Sequence, residues 1–420
     1  MHLYTSNSKI DYRKVPEQQW EKVIIISFVL VFLLLIGWEL LARKMQHQPG
    51  GYLSGMDAMW AQERKKLDIP ENKIRVILTG SSRMLWAADL NIMEKQLGTR
   101  PLQLSLPGTS PALFVKDIVE NTSFDGIILV GYTPFLFNWL TEGYFGKDAL
   151  QRYHSESPAQ WLSTKLHDPL AKNLGFIDEG FSLFELIDHY SVLPERKNSK
   201  ILNQQGWKLG DTFDDRQTDM WAPVEIEGSF DNEQILNFWL PGLDLNNVKT
   251  PEEMAKMAEE AIAFFGPLVT KLQNRGGDMI FIRMPSSGLY LTRDIKSNHR
   301  ENLWLPMVDA FNAPAINTMD YPELSTDLEI PEWSHLSRKS QDIWSKNIVP
   351  YIKNAYSQHR NKDINNVLKI LDKGHVVLFS IIKEGWPPST LKIVPVYAKR
   401  GSVMFVSFSQ PDTSLMGAAI

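Results

Sequence analysis

The chain has 420 residues, 43% of them apolar and 22% charged, the balance of a folded globular protein. Its net charge of −5, without a dense basic block, argues against a nucleic-acid partner. It contains no cysteine, which excludes disulfides, thiolate metal sites and a cysteine nucleophile.

Residues 23–42 are almost wholly apolar, interrupted by Glu39, and just reach the ~20 residues needed to cross a bilayer as a helix. Trp20 and Trp38 stand where interfacial aromatics are expected. No small-residue cleavage site follows, since Ala42-Arg43-Lys44 is a poor match, so an uncleaved anchor over 23–43 is expected. Lys9, Arg13, Lys14 and Lys22 precede the run, and only Arg43 and Lys44 follow it closely. That bias predicts a short cytoplasmic tail over 1–22 and a single-pass protein whose main domain is periplasmic or extracellular. Residues 44–72 read as a stalk, broken at Pro49-Gly50-Gly51, with a short helix over 56–67.

The β-branched run over 73–79 predicts a strand, followed by a helix over 83–97 that Gly98 ends. A short strand over 103–106, a helix over 111–121 and a strong strand over 126–131 come next. Such alternation predicts a parallel sheet with right-handed crossovers. The rhythm then breaks over 134–249, a stretch holding Trp161, Trp207, Trp221 and Trp239 and too long for a connection. It is expected to be an insertion with its own structure that could act as a lid. Thr250, Pro251 and Glu253 then start a helix with a capping box. Strands over 279–283 and 315–317 and a closing helix over 337–355 complete a domain over 73–358. Residues 359–420 hold three further β-like runs and read as a small β appendage without an assigned role.

Two places carry chemistry. The strand that runs into Gly80-Ser81-Ser82 and then a helix lifts a serine hydroxyl to the carboxyl edge of the sheet, where open α/β sheets bind ligands. Far downstream, Glu332-Trp333-Ser334-His335 offers a histidine and a carboxylate just before the last helix. Serine, histidine and carboxylate are the parts of a nucleophilic triad, in which the base takes the serine proton and the carboxylate holds the other ring nitrogen. Either serine also suits a helix cap, and Asp327 is a second candidate carboxylate. Arg83 and Arg283 fall near strand ends, where they could receive an anionic substrate or form structural ion pairs. His154, His167 and His189 have no metal-ligand spacing, and neither metal nor cofactor is expected.

The order of these elements resembles the SGNH (GDSL-like) hydrolase family, which has a flavodoxin-like three-layer α/β sandwich. In that family the first motif is Gly-Asp-Ser, matched here by Gly80-Ser81-Ser82, with Ser82 as nucleophile and Ser81 in place of the Asp. The oxyanion glycine after the second strand is matched by Gly108. The third motif, Gly-x-Asn, reads Gly131-Tyr132-Thr133, so Thr133 stands where the family has Asn. The final Asp-x-x-His reads Glu332-Trp333-Ser334-His335. The anchored topology and the Gly80-Ser81-Ser82-Arg83 start are similar to envelope proteins that work beside membrane-bound O-acyltransferases, such as alginate O-acetylation proteins and the D-alanyl-transfer protein of teichoic acid systems. The resemblance implies a serine esterase or acyltransferase acting on a cell-envelope glycan beside the bilayer, with a membrane-bound O-acyltransferase as partner. The missing Asn favours a second reading, an inactive scaffold or binding protein of a polysaccharide modification or export complex, and anchoring beside the bilayer would permit a third, a lipase or thioesterase.

Overall fold

The computed structural model describes residues 19–45, 55–138, 140, 145–178, 181–183, 208–243, 245–246, 248–297 and 300–372, with side chains to residue 360. Helix α1, Trp20–Lys44, belongs to a compact unit of its own. At 1.5 Å per residue its 25 residues extend about 37 Å, against a hydrocarbon core of about 30 Å. Ile25, Phe28, Phe32 and Leu34 are exposed on it, so this helix is long and apolar enough to cross a membrane.

The second unit is an α/β domain built on a five-stranded parallel sheet. Its strands are β1 Val76–Thr79, β2 Leu102–Gln103, β3 Ile127–Tyr132, β6 Asp278–Arg283 and β7 Ala315–Asn317, arranged in the order β2-β1-β3-β6-β7. Their sequences are apolar without alternation because both faces are covered. Ile77, Ile128, Val130, Met279 and Phe281 enter one core. Val76, Leu78, Ile127, Leu129, Ile280 and Ile282 enter the other. The first core is closed by α2 Met56–Lys65, α5 Ala112–Asn121, α10 Pro251–Gln273 and α12 Leu305–Phe311. The second is closed by α3 Ser82–Ala87, α4 Leu90–Leu97 and α13 Arg338–Asp372. Between α10 and α12 the chain forms α11, Gly288–Ser297. Taken in sequence order, the sheet strands run 2-1-3-4-5, the order of flavodoxin-like doubly wound sheets.

Three expectations change. The stalk reading fails from Met56 onward, because α2 is a core helix. Trp60 is fully buried, stacks on Phe114 with centroids 4.5 Å apart, and donates its indole N–H to Leu104 O at 2.9 Å. Arg64 is paired with buried Asp117 at 2.6 Å. The helix expected over 83–97 breaks at Ala88, because the Asp89 side chain accepts the Ile92 N–H at 2.7 Å and starts α4 afresh. The closing helix runs on to Asp372, past the expected start of the appendage at 359; the β-like runs beyond it lie outside the described residues.

The described part of the insertion is mostly helical: α6 Pro134–Phe137, α7 Gly146–Ser155, α8 Pro158–Ala171 and α9 Phe230–Trp239. It also holds an antiparallel hairpin, β4 Gly210–Thr212 with β5 Thr218–Met220. The hairpin is fastened to the domain at its turn end. Gln217 accepts the Leu90 N–H at 2.7 Å, and Gln341 donates to Thr218 O at 2.6 Å. Arg216, fully buried at the turn, donates to Ser105 O at 2.5 Å, and burial lowers its guanidinium to about 10.

Candidate active site

The site is assembled at the carboxyl edge of β1 and β3. Gly80 and Gly131 lie against each other there. A Cβ on either would come within 2.9 Å of Met84 Cβ, so only glycine lets α3 start this close to the sheet. Ser81 is the helix cap: its hydroxyl accepts the Arg83 N–H at 3.3 Å. That hydroxyl is also 2.6 Å from Thr133 Oγ1, which ties the turn after β1 to the end of β3. Ser82 is the first residue of α3 and half-buried. Its N–H has no carbonyl one turn back to donate to, so it remains available for another acceptor.

Leu106 N–H donates to Gly80 O at 2.9 Å, so the chain leaving β2 runs beside the serine turn. Gly108 follows two residues later, half-buried, at φ 61°, a left-handed conformation that explains glycine there.

His335 and Glu332 are both buried. One carboxylate oxygen of Glu332 lies 2.9 Å from His335 Nδ1 and accepts the His335 backbone N–H at 2.5 Å. The other accepts the indole N–H of Trp239 at 2.6 Å. An ionised carboxylate only accepts, so in the neutral imidazole His335 Nδ1 carries the proton and Nε2 presents a lone pair. Among the described residues, Nε2 is buried without a hydrogen-bond partner. Leaving such a group unpaired costs about 1–3 kcal/mol, and a cost of that kind is often met at functional sites.

The loop carrying this pair is held against both α3 and the loop after β6. Trp86 of α3 lies against the His335 ring, centroids 4.9 Å apart, and Arg83 Nε donates to Ser334 Oγ at 3.4 Å. Ser287 donates its N–H to Trp333 O and its hydroxyl to Ile330 O, both at 3.0 Å. Trp333 sits at φ 72°, a left-handed conformation costing of order 1–3 kcal/mol that the surrounding bonds hold in place. Between Ser82 Oγ and His335 Nε2 there is no hydrogen bond. The two groups come from elements in contact and are not directly joined.

The remaining candidates have other neighbours. Arg83 is buried and bound to Asp294 at 2.6 Å, with Ser286 donating to the same carboxylate oxygen at 2.8 Å. Of the two roles open to it, the ion pair is the one it fills. Tyr290 of α11 lies under the Arg83 guanidinium at 5.3 Å, and burial pushes its hydroxyl up to about 12. Asp327 is exposed in its loop, and the His335 ring nitrogen is bonded to Glu332. Arg283 ends β6, two strands away from Ser82. Among the described residues, no group of three or more His, Asp or Glu side chains could hold a metal ion.

Two residues of the site, Trp239 and Asp294, escape a reading of the sequence. Trp239 stands out only as one of several tryptophans in the insertion, and nothing near Asp294 marks it as the partner of Arg83. No protein-family model matches the chain, and no curated protein matches it.

Proposed function

We propose that the chain is a membrane-anchored serine acyl esterase or O-acyltransferase, facing the periplasm or exterior and acting on acyl esters of a cell-envelope glycan. The observation that carries this reading is the buried Glu332–His335 pair, whose Nε2 lone pair has no partner among the described residues and whose loop packs on the helix that Ser82 begins. The resemblance of the four motifs to SGNH hydrolases supports the same reading.

In this mechanism His335 Nε2 takes the Ser82 hydroxyl proton as Oγ attacks the ester carbonyl. Glu332 stabilises the resulting imidazolium through Nδ1–H. The tetrahedral oxyanion is met by the N–H groups of Ser82 and Gly108, and losing one such donor costs about 10²–10³ in rate. His335 then gives its proton to the leaving alcohol, leaving an acyl-serine. Water resolves it in an esterase, and a sugar hydroxyl, delivered beside a membrane-bound O-acyltransferase, resolves it in a transferase. The Ser82 hydroxyl must rotate or shift to reach Nε2, since the two are not bonded.

The absence of that bond favours one rival, an inactive scaffold of a glycan-modifying complex. The full chain in detergent is treated with a fluorophosphonate probe and an acetyl-ester reporter. Labelling and turnover that vanish in Ser82→Ala and His335→Ala support the enzyme. A folded wild type that takes no label leaves the scaffold as the function.

A further inference from the structure

We infer that helix α8 of the insertion is a membrane-contact helix, resting its apolar face on the lipid surface of the bilayer that α1 can span. Helix α8 is amphipathic with its faces reversed. The side chains packed inward are Thr164 and Ala171, with His167 and Asp168 half-buried. The side chains turned outward are Trp161, Leu162, Leu166 and Leu170, which are 51%, 50%, 62% and 51% exposed. The inward face is held by polar contacts: Arg152 donates to Thr164 Oγ1 at 3.1 Å and to Gln160 O at 3.2 Å. The helix is not a fraying end. Ser157 and Gln160 form a reciprocal capping box, and Pro158 opens the first turn.

Large apolar side chains exposed together on one helix face mark an interaction surface. Two observations select lipid as its occupant. The first is reach: residues 45–55 separate the end of α1 from the start of α2, and fully extended they span at most about 40 Å. With α1 in a bilayer, the connection bounds the start of α2 to within about that distance of the lipid surface. The second is chemistry. A tryptophan and three leucines bordered by exposed Lys165 form the pattern of a helix lying in the interface, with the lysine able to reach the headgroups. This inference does not depend on the chemistry proposed for Ser82.

The absence of cysteine makes the test specific. Full-length Leu166→Cys is labelled with an environment-sensitive fluorophore and reconstituted into phosphatidylcholine–phosphatidylglycerol vesicles. Lys256→Cys, on an exposed position of α10, is the aqueous control. The expected result is that quenchers on the lipid chains extinguish most of the emission from position 166 and little from 256, with aqueous iodide doing the reverse. Iodide access at 166 equal to that at 256 would overturn the inference. Shielding from both quenchers would also overturn it, since a second copy, a partner protein or residues 373–420 would then cover the face. Leu162→Cys repeats the measurement on the same stripe, and unfolding midpoints of both variants check that the fold is intact.

Discussion

Replacing Glu332 with Gln tests how the histidine is held. Two obligate donors, the His335 backbone N–H and the Trp239 indole N–H, sit on different oxygens of this carboxylate. A glutamine has one oxygen, so whichever way its amide turns, an N–H faces an N–H. The variant loses one charge-assisted bond, worth about 1.5–3 kcal/mol, and leaves a buried donor unmet at about 1–3 kcal/mol more. Glu332→Gln is therefore expected to destabilise the domain by about 3–5 kcal/mol. Trp239→Phe removes one of the two donors, and in that background the glutamine amide can turn its NH₂ into the vacated position. The double variant should then be less destabilised than the sum of the singles by about 1–3 kcal/mol. Urea midpoints of the full chain in detergent, read at a common slope, give all four corners of the cycle. Additivity within about 0.5 kcal/mol would show that Trp239 and Glu332 are not coupled, and the donor-conflict reasoning would be wrong.

Asp294→Ala strands the buried Arg83 guanidinium and should cost about 3–5 kcal/mol, with much of it recovered in Arg83→Met/Asp294→Leu; equal instability of both variants would count against the ion pair as the cause. Ser81→Ala removes a cap and the Thr133 contact, so it should lower stability by about 1 kcal/mol while fluorophosphonate labelling persists. Ser82→Ala should do the opposite, and loss of labelling in the Ser81 variant alone would reassign the nucleophile. Tyr290 titrates near 10 when unfolded and near 12 in the fold, so the native state holds the extra proton between those values. Stability should accordingly fall as pH rises from 10 to 12, by up to about 1.4 kcal/mol per pH unit. Tyr290→Phe should remove that share of the slope; unfolding midpoints at pH 9.5 and 11 that drop equally in both proteins would remove burial of Tyr290 as its source.

What the sequence could convey followed from short-range physics. Alternation of helices with apolar runs such as Ile127–Tyr132 reported a parallel sheet, and Thr250 with Glu253 announced the start of α10. Glu332 and His335 were legible together because they stand only three positions apart. Contacts between distant segments left no local trace: Trp239 reaching Glu332, Arg83 reaching Asp294, and the Ser81–Thr133 pair. Helix α2 misled because a short apolar stripe after a Pro-Gly-Gly break reads the same in a stalk as in a core. Helix α8 shows a different limit, since periodicity reports that a helix has an apolar side without reporting which way that side faces.

The sheet also dictates an order of events when the chain is made. Strand β3 pairs with β6 at the centre of the sheet, and residues 133–277 lie between them. Closing a loop of that length costs only about 4 kcal/mol in entropy, but it has to wait for the whole insertion to emerge. Until Arg283 is available, the wholly apolar Ile127–Val130 segment is an open sheet edge, the kind that pairs with other chains. Slow, aggregation-exposed folding is thus built into the topology. A nascent chain stalled within the insertion would be a hazard to its neighbours, and a chain truncated before β6 would be expected to precipitate.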